Sequence, residues 1–228
     1  NVRSKIVALT KYNYNSFDLT TAASKGLAFN SSANGFETAA EGSMTLIKTL
    51  TASGDNELDF NHGSSDVVLD STYPVYLFKF INVHPSNNGT GFAINLRTGS
   101  SGSYSAATKT TTNFRAEHQE DGSSTALGYA ASRDLAQATG DINIMGDTLG
   151  NGNDECASGK MYLFNPSSTT FVKHFLIQAS MYHESNANQN CFVGGYANTT
   201  SAITSVRFKM VAGTIDAGTI KLYGIKDS

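Results

Sequence analysis

Asp55, Glu57, Asp59, Asn61 and Asp66 bring five oxygen-bearing side chains close together, at offsets like those of a calcium-binding loop. Such a loop needs a glycine at its sixth position for the sharp turn and a bidentate glutamate at its twelfth. Phe60 and Asp66 stand at those positions instead. Leu58 and Phe60 alternate with Glu57, Asp59 and Asn61, which is the period of a half-buried strand with its acids turned to solvent. The strand is the expected structure, and no metal is expected there. The five histidines, His62, His84, His118, His174 and His183, include no close pair of the kind zinc sites use. His174 and His183 have an odd separation, so on a shared strand they fall on opposite faces. Glu117, Glu120 and Asp121 form one small acidic group and Asp154 with Glu155 another. Paired carboxylates can hydrolyse a glycosidic bond, but their Gly/Ser surroundings read as solvated loops. The chain has no Trp to form a sugar-stacking platform, although its 10 Tyr could substitute.

Cys156 and Cys191 read as two free, half-buried thiols behaving as small hydrophobes, with a disulfide between them as the alternative. Asn30-Ser31-Ser32, Asn88-Gly89-Thr90 and Asn198-Thr199-Thr200 match the glycosylation acceptor pattern. A chain rich in Ser, Thr and Asn produces such matches by chance. No nucleophile elbow, phosphate-binding loop or zinc-protease helix motif occurs, and Gly99-Ser100-Ser101-Gly102 is a turn sequence. The reading is a protein that is not an enzyme, with no catalytic residue, no metal site and no cofactor assigned.

The elements that would position any site are strands. The chain has 228 residues, 39% hydrophobic, enough for one substantial core. Only 15% are charged, and Gly, Ser, Thr and Asn fill the gap. The net charge is −3 and no run of Lys or Arg appears, which argues against a nucleic-acid partner. No stretch approaches the ~20 apolar residues that span a bilayer, so no membrane partner is expected. The first residues, Asn1 to Thr10, do not read as a signal peptide.

Residues 1–42 differ in character from the rest of the chain. Between Ala22 and Gly42 the chain is small and polar, with isolated Leu27, Phe29 and Phe36 and no useful periodicity. It is expected to be an extended N-terminal arm or linker that needs a partner to order it. Residues 43–228 are expected to form the folded domain. Met44, Leu46 and Leu50 begin a strand. Val75, Leu77 and Ile81 on one face and Tyr76, Phe78 and Phe80 on the other suggest a strand buried on both sides. Phe92, Ile94 and Leu96 alternate with polar neighbours; Ile142 and Ile144 begin another strand. Lys160 to Phe164 ends at the turn signal Asn165-Pro166. In Phe171 to His183, Phe171, Phe175, Ile177, Ala179 and Met181 share a face. Val206, Phe208 and Met210 point one way and Ser205, Arg207 and Lys209 the other. Ala212-Gly213 turns the chain into Ile220 and Leu222. Leu127, Ala131, Leu135 and Ala138 have helical spacing, suggesting one short helix in a long connection, with Gly128 and Gly140 against it. Many short strands between Gly/Ser/Asn turns predict an all-β fold, a jelly-roll-like β-sandwich.

The C-terminal blocks carry a resemblance. Ser201 to Met210, followed by Gly213 to Lys226 with Gly218-Thr219-Ile220-Lys221-Leu222-Tyr223-Gly224-Ile225-Lys226 at its end, resembles a signature of virion structural proteins of marine bacteriophages. Asp70-Ser71-Thr72-Tyr73, His84-Pro85-Ser86 and Tyr162 to Thr170 match the same family in order, so the resemblance spans about Met44 to Lys226. It implies a non-enzymatic protein on the outer surface of a phage particle, a capsid decoration (cement) protein or a fibre-type appendage. The implied partners are other virion proteins, reached through the N-terminal arm, in a homo-oligomer that the resemblance suggests is a homotrimer. A receptor-binding module of a tail fibre, gripping a host surface glycan, is the alternative.

Overall fold

The computed structural model describes residues 26–29, 32–33, 35–38, 42–99, 104 and 107–226. The chain divides into two units, Asn1–Gly42 and Ser43–Ser228. In the first, β1 (Leu27–Phe29) pairs antiparallel with β2 (Phe36–Thr38), and Phe29 stacks on Phe36 with ring centroids 5.0 Å apart. The sequence shows no useful strand periodicity here. Three residues per strand are too few for periodicity to register. The rest of the arm lies outside the described residues.

The second unit is built of strands throughout: β3 (Met44–Asp55), β4 (Glu57–Asn61), β5 (Val75–Pro85), β6 (Phe92–Thr98), β7 (Lys109–Gln119) and β8 (Thr125–Tyr129). There follow β9 (Ile142–Asn143), β10 (Ala157–Phe164), β11 (Lys173–His183), β12 (Ala187–Ala197), β13 (Ile203–Met210) and β14 (Ile215–Ile225). They form an eight-stranded sheet in the order β3-β14-β5-β10-β11-β12-β7-β8 and a four-stranded sheet in the order β4-β13-β6-β9. All pairings are antiparallel.

This order is a jelly roll. The run β3, β4, β5, β6 alternates between the two sheets, and so does β9, β10, β13, β14. The two runs pair in reverse, β3 with β14, β4 with β13, β5 with β10 and β6 with β9. A long hairpin rolled around a core gives that pattern and leaves few open edges. Two further hairpin-linked pairs, β7–β8 after β6 and β11–β12 after β10, extend the larger sheet beyond the area the smaller one faces.

Aromatic side chains close the gap between the sheets. Phe208 of β13 lies 5.5 Å from Phe78, 5.9 Å from Phe92 and 6.0 Å from Phe60, measured between ring centroids. All four rings are buried. Offset and edge-on contacts of this kind add about 0.5–1.5 kcal/mol per pair beyond burial. Leu58 and Phe60 are buried, so the strand reading of the Asp55–Asp66 segment is right. Val206, Met210, Ile220 and Leu222 are buried as their alternation predicts. Gly213 turns β13 into β14 with φ 77°, a conformation other residues avoid.

Four expectations change. No helix forms over residues 127–138: Leu127 belongs to β8, and Leu135 is tied to β7 through Leu135 N donating to Thr111 Oγ1 at 2.8 Å. The outer face of β5 is not buried throughout, since Ile81 is 40% exposed. Phe171 lies outside β11 and is exposed; Lys173 takes the inward position and is itself buried. Ser205 is buried although it points away from the core, because Tyr104 covers it, with the two hydroxyls 2.6 Å apart.

Candidate functional site

Register decides what the outer face of the eight-stranded sheet presents. Phe114 of β7 stands opposite Phe192 of β12, which stands opposite Gln178 of β11. The line continues through Lys160 of β10, Lys79 of β5 and Lys221 of β14. One row therefore runs from stacked aromatics to three opposing lysines. Phe114 and Phe192 are nearly parallel at 11°, with centroids 5.0 Å apart, and Phe114 is 43% exposed. Directly opposed like charges destabilise a sheet. Among the described residues none of the three lysines has an ion-pair partner. Two rest on aromatic faces instead: Lys79 lies 5.3 Å above the Tyr223 ring and Lys160 lies 5.7 Å above Tyr162.

The neighbouring row adds Tyr162, opposite Leu176, which is exposed and itself stands opposite Gly194, whose missing side chain leaves a dip next to Phe192. A depression of about 440 Å³ results, walled by Phe114, Phe192, Leu176, Tyr162, Lys160 and Gln178. A second of about 430 Å³ shares Lys160 and Gln178 and continues over Ser158, Ser180, Asn188 and Asn190. The strip thus changes from aromatic to amide, hydroxyl and ammonium within one continuous face. It is suited to bind by stacking and hydrogen bonding, particularly something anionic.

Beyond the smaller sheet, the connection between β8 and β10 is fixed by charge. Asp147 receives Arg115 at 3.2 Å, Arg133 at 3.4 Å and His183 at 3.7 Å. Glu117 accepts from Gln189 at 2.6 Å and lies 3.5 Å from Arg115. These groups pair with one another across strands and loop, with only Gln189 Oε1 among them left buried without a partner, so their arrangement is that of a structural clamp.

The outer face of the four-stranded sheet is also polar. Tyr104 lies over two guanidinium groups, Arg207 at 4.3 Å and Arg97 at 5.1 Å from its ring centroid. Burial, and Asp59 nearby, push the Tyr104 hydroxyl up to about 12. Burial raises the Asp59 carboxyl as well, against the pull of Tyr104 and the two arginines.

The acidic side chains from Asp55 to Asp66 do not converge on one point. Glu57 pairs with Arg207 at 3.2 Å, Asn61 accepts from Arg97 at 2.7 Å, and Asp55 accepts from the Ser53 N–H at 2.8 Å. Asp66 sits in a turn at φ 68°. Among the described residues no group of three or more His, Cys, Asp or Glu is placed to hold a metal ion. His174 lies on the outer face of β11 against Tyr196, while His183 has the inward parity, as the odd separation requires. Glu120 accepts from the Tyr182 hydroxyl at 2.8 Å, and Glu155 accepts from the Gly152 N–H at 2.5 Å. Cys156 and Cys191 are unpaired; Cys191 is buried, accepts from Gly146 N–H and is raised mainly by desolvation. The Phe114–Phe192 stack and the lysine row escaped the sequence because opposition across strands is not visible in either strand alone. No protein-family model, curated protein or solved structure matches the chain.

Proposed function

We propose that this chain is a non-enzymatic structural protein on the outer surface of a bacteriophage particle, as a capsid decoration protein or a fibre-type appendage. The observation that carries the reading is the outer face of the eight-stranded sheet. Opposed lysines cost about 0.2–1 kcal/mol per pair in an isolated sheet, and an anionic partner surface offsets that cost. Exposed stacked rings beside them are the anchors such an interface uses. The jelly-roll order and the sequence resemblance support the particle location, and residues 1–42 are the means of attachment to other virion proteins. A closed three-fold assembly completes the proposal.

The amide and hydroxyl side chains that continue the strip favour a second reading, a tail-fibre module binding an acidic host glycan. One experiment separates the two. A cryo-EM map of the intact particle should place this density on the exterior. With the aromatic–lysine face turned onto a neighbouring virion protein, the decoration reading holds. With the face turned to solvent, the glycan reading holds. Absence of the protein from purified particles removes both.

A further inference from the structure

Between the four-stranded sheet and the start of β7 lies a group of side chains that neither the fold nor the proposed function requires. Lys109, the first residue of β7, is fully buried, and Asn95 of β6 is 3% exposed. Lys109 Nζ lies 2.6 Å from Asn95 Oδ1, and its other contact is the Thr139 carbonyl at 3.0 Å. No carboxylate forms an ion pair with this amine among the described residues. Asn95 Nδ2 donates to Asp141 Oδ1 at 2.7 Å. Asn95 Oδ1 also accepts from the Leu96 N–H at 2.9 Å. Arg207 and Lys209 hold Asp141 from the other side, at 3.4 and 3.8 Å.

Each contact suits one reaction. A buried ammonium beside a neutral amide is costly. Desolvation pushes Lys109 down to about 8; Asp141 opposes this and Arg207 assists it. A fraction of Lys109 is therefore uncharged near neutral pH; an uncharged lysine amine is a nucleophile, and Lys109 touches the amide of Asn95.

We propose that Lys109 and Asn95 join in an intramolecular isopeptide bond, formed without any other protein, with Asp141 carrying the proton. The lone pair of Lys109 Nζ attacks Asn95 Cγ. Charge develops on Oδ1, where the Leu96 N–H already points. Once Nζ has bonded to Cγ it stands beside Nδ2, on which Asp141 Oδ1 already sits, so Asp141 takes a proton from the attacking nitrogen there and passes it to Nδ2. The Cγ–Nδ2 bond breaks, its electrons leave with ammonia, and the Nζ–Cγ amide remains. Nothing is oxidised or reduced, and no co-reactant is consumed. The product replaces a buried amine with a neutral amide. It also closes a covalent ring across the β6–β7 connection, whose two anchors are 14 positions apart and which carries Tyr104 over the two arginines.

The test is mass spectrometry of the purified full chain. The denatured protein should be lighter than its sequence by one ammonia. Cyclisation at Asn34-Gly35, Asn88-Gly89 or Asn151-Gly152 would lose the same mass, so the peptide map decides. Trypsin should fail to cut after Lys109, and one branched peptide should contain both Lys109 and Asn95. Lys109→Met and Asn95→Ala should each abolish the branched peptide, and Asp141→Asn should abolish it while circular dichroism still shows the native β spectrum. A wild-type protein cut normally after Lys109, with Asn95 in a linear peptide, overturns the proposal whether or not the variants fold. A branched peptide that survives Asp141→Asn overturns the role given to Asp141.

Discussion

Asp59 shows how one buried carboxyl shapes stability. Burial holds its pKa above the ordinary 3.8, and the Tyr104 hydroxyl and two arginines only partly reverse the shift. The folded state therefore keeps this proton longer than the unfolded chain does. As pH rises from 3.8 through the raised folded value, the unfolded chain ionises first, so the contribution of Asp59 to stability falls. Above that window its effect is constant. Asp59→Asn should remove this decline, and thermal midpoints measured across the weakly acid range should show the wild-type and variant curves converging towards low pH. Curves that stay parallel would mean that Asp59 titrates normally. Phe208 makes the contrasting case. It meets Phe60, Phe78, Phe80 and Phe92 at ring distances from 5.5 to 6.4 Å. Phe208→Ala should cost ~3–5 kcal/mol, whereas Lys209→Ala, which loses one half-exposed contact to Asp141, should cost less than about 1 kcal/mol. Denaturant unfolding of both reads the difference. This residue-level pattern was legible because an inward–outward alternation needs no knowledge of the partner strand.

At the scale of elements, legibility depended on how sharply a strand separates its faces. The β13–β14 hairpin was clear, with Val206, Phe208 and Met210 alternating on one strand, Ile220 and Leu222 on the other, and Gly213 between. β7 and β12 were hidden, because Thr, Asn and Gly occupy positions on both of their faces and Lys109 and Gln189 point inward. The false helix had a different cause. Leu127 is 78% exposed on β8 and Leu135 packs in a loop against the core, so their spacing reflects two unrelated environments. Register then generates the lysine row, which leads to a prediction about the sheet. Lys160→Gln removes the charge opposing Lys79 and should stabilise the isolated protein by about 0.2–1 kcal/mol. The same change should weaken attachment to an anionic partner. Urea unfolding checks the first effect, and a variant less stable than wild type would show that the lysines are already neutralised. Gly218 sets a second constraint on this sheet. Its φ is 122°, and a Cβ there would stand 2.7 Å from Val83 Cα. Gly218→Ala should therefore cost more than about 2 kcal/mol, through strain and a backbone clash at the irregular β14–β5 pairing.

For the whole molecule, the jelly roll has its core within residues 43–226, every core residue among the described ones belonging to that span. The described part of the first unit has no comparable core. Its two strands are three residues each, and Leu27 and Phe29 are 54% and 70% exposed. A two-stranded hairpin by itself is marginal in water, and on the proposed function the exposed Leu27 and Phe29 gain by docking on another chain, through side-chain burial and strand addition. The two units should then separate in function. Protein lacking residues 1–42 should unfold at the same midpoint as the full chain, because none of the described core residues is removed. On the proposed function it should also have a lower mass than the full chain in light scattering and fail to bind phage particles that lack the protein. A truncated protein that still assembles and incorporates would transfer attachment to the sandwich itself, with the aromatic–lysine face as the remaining surface. A truncated protein with a lowered midpoint would mean that the first unit supports the fold rather than the assembly.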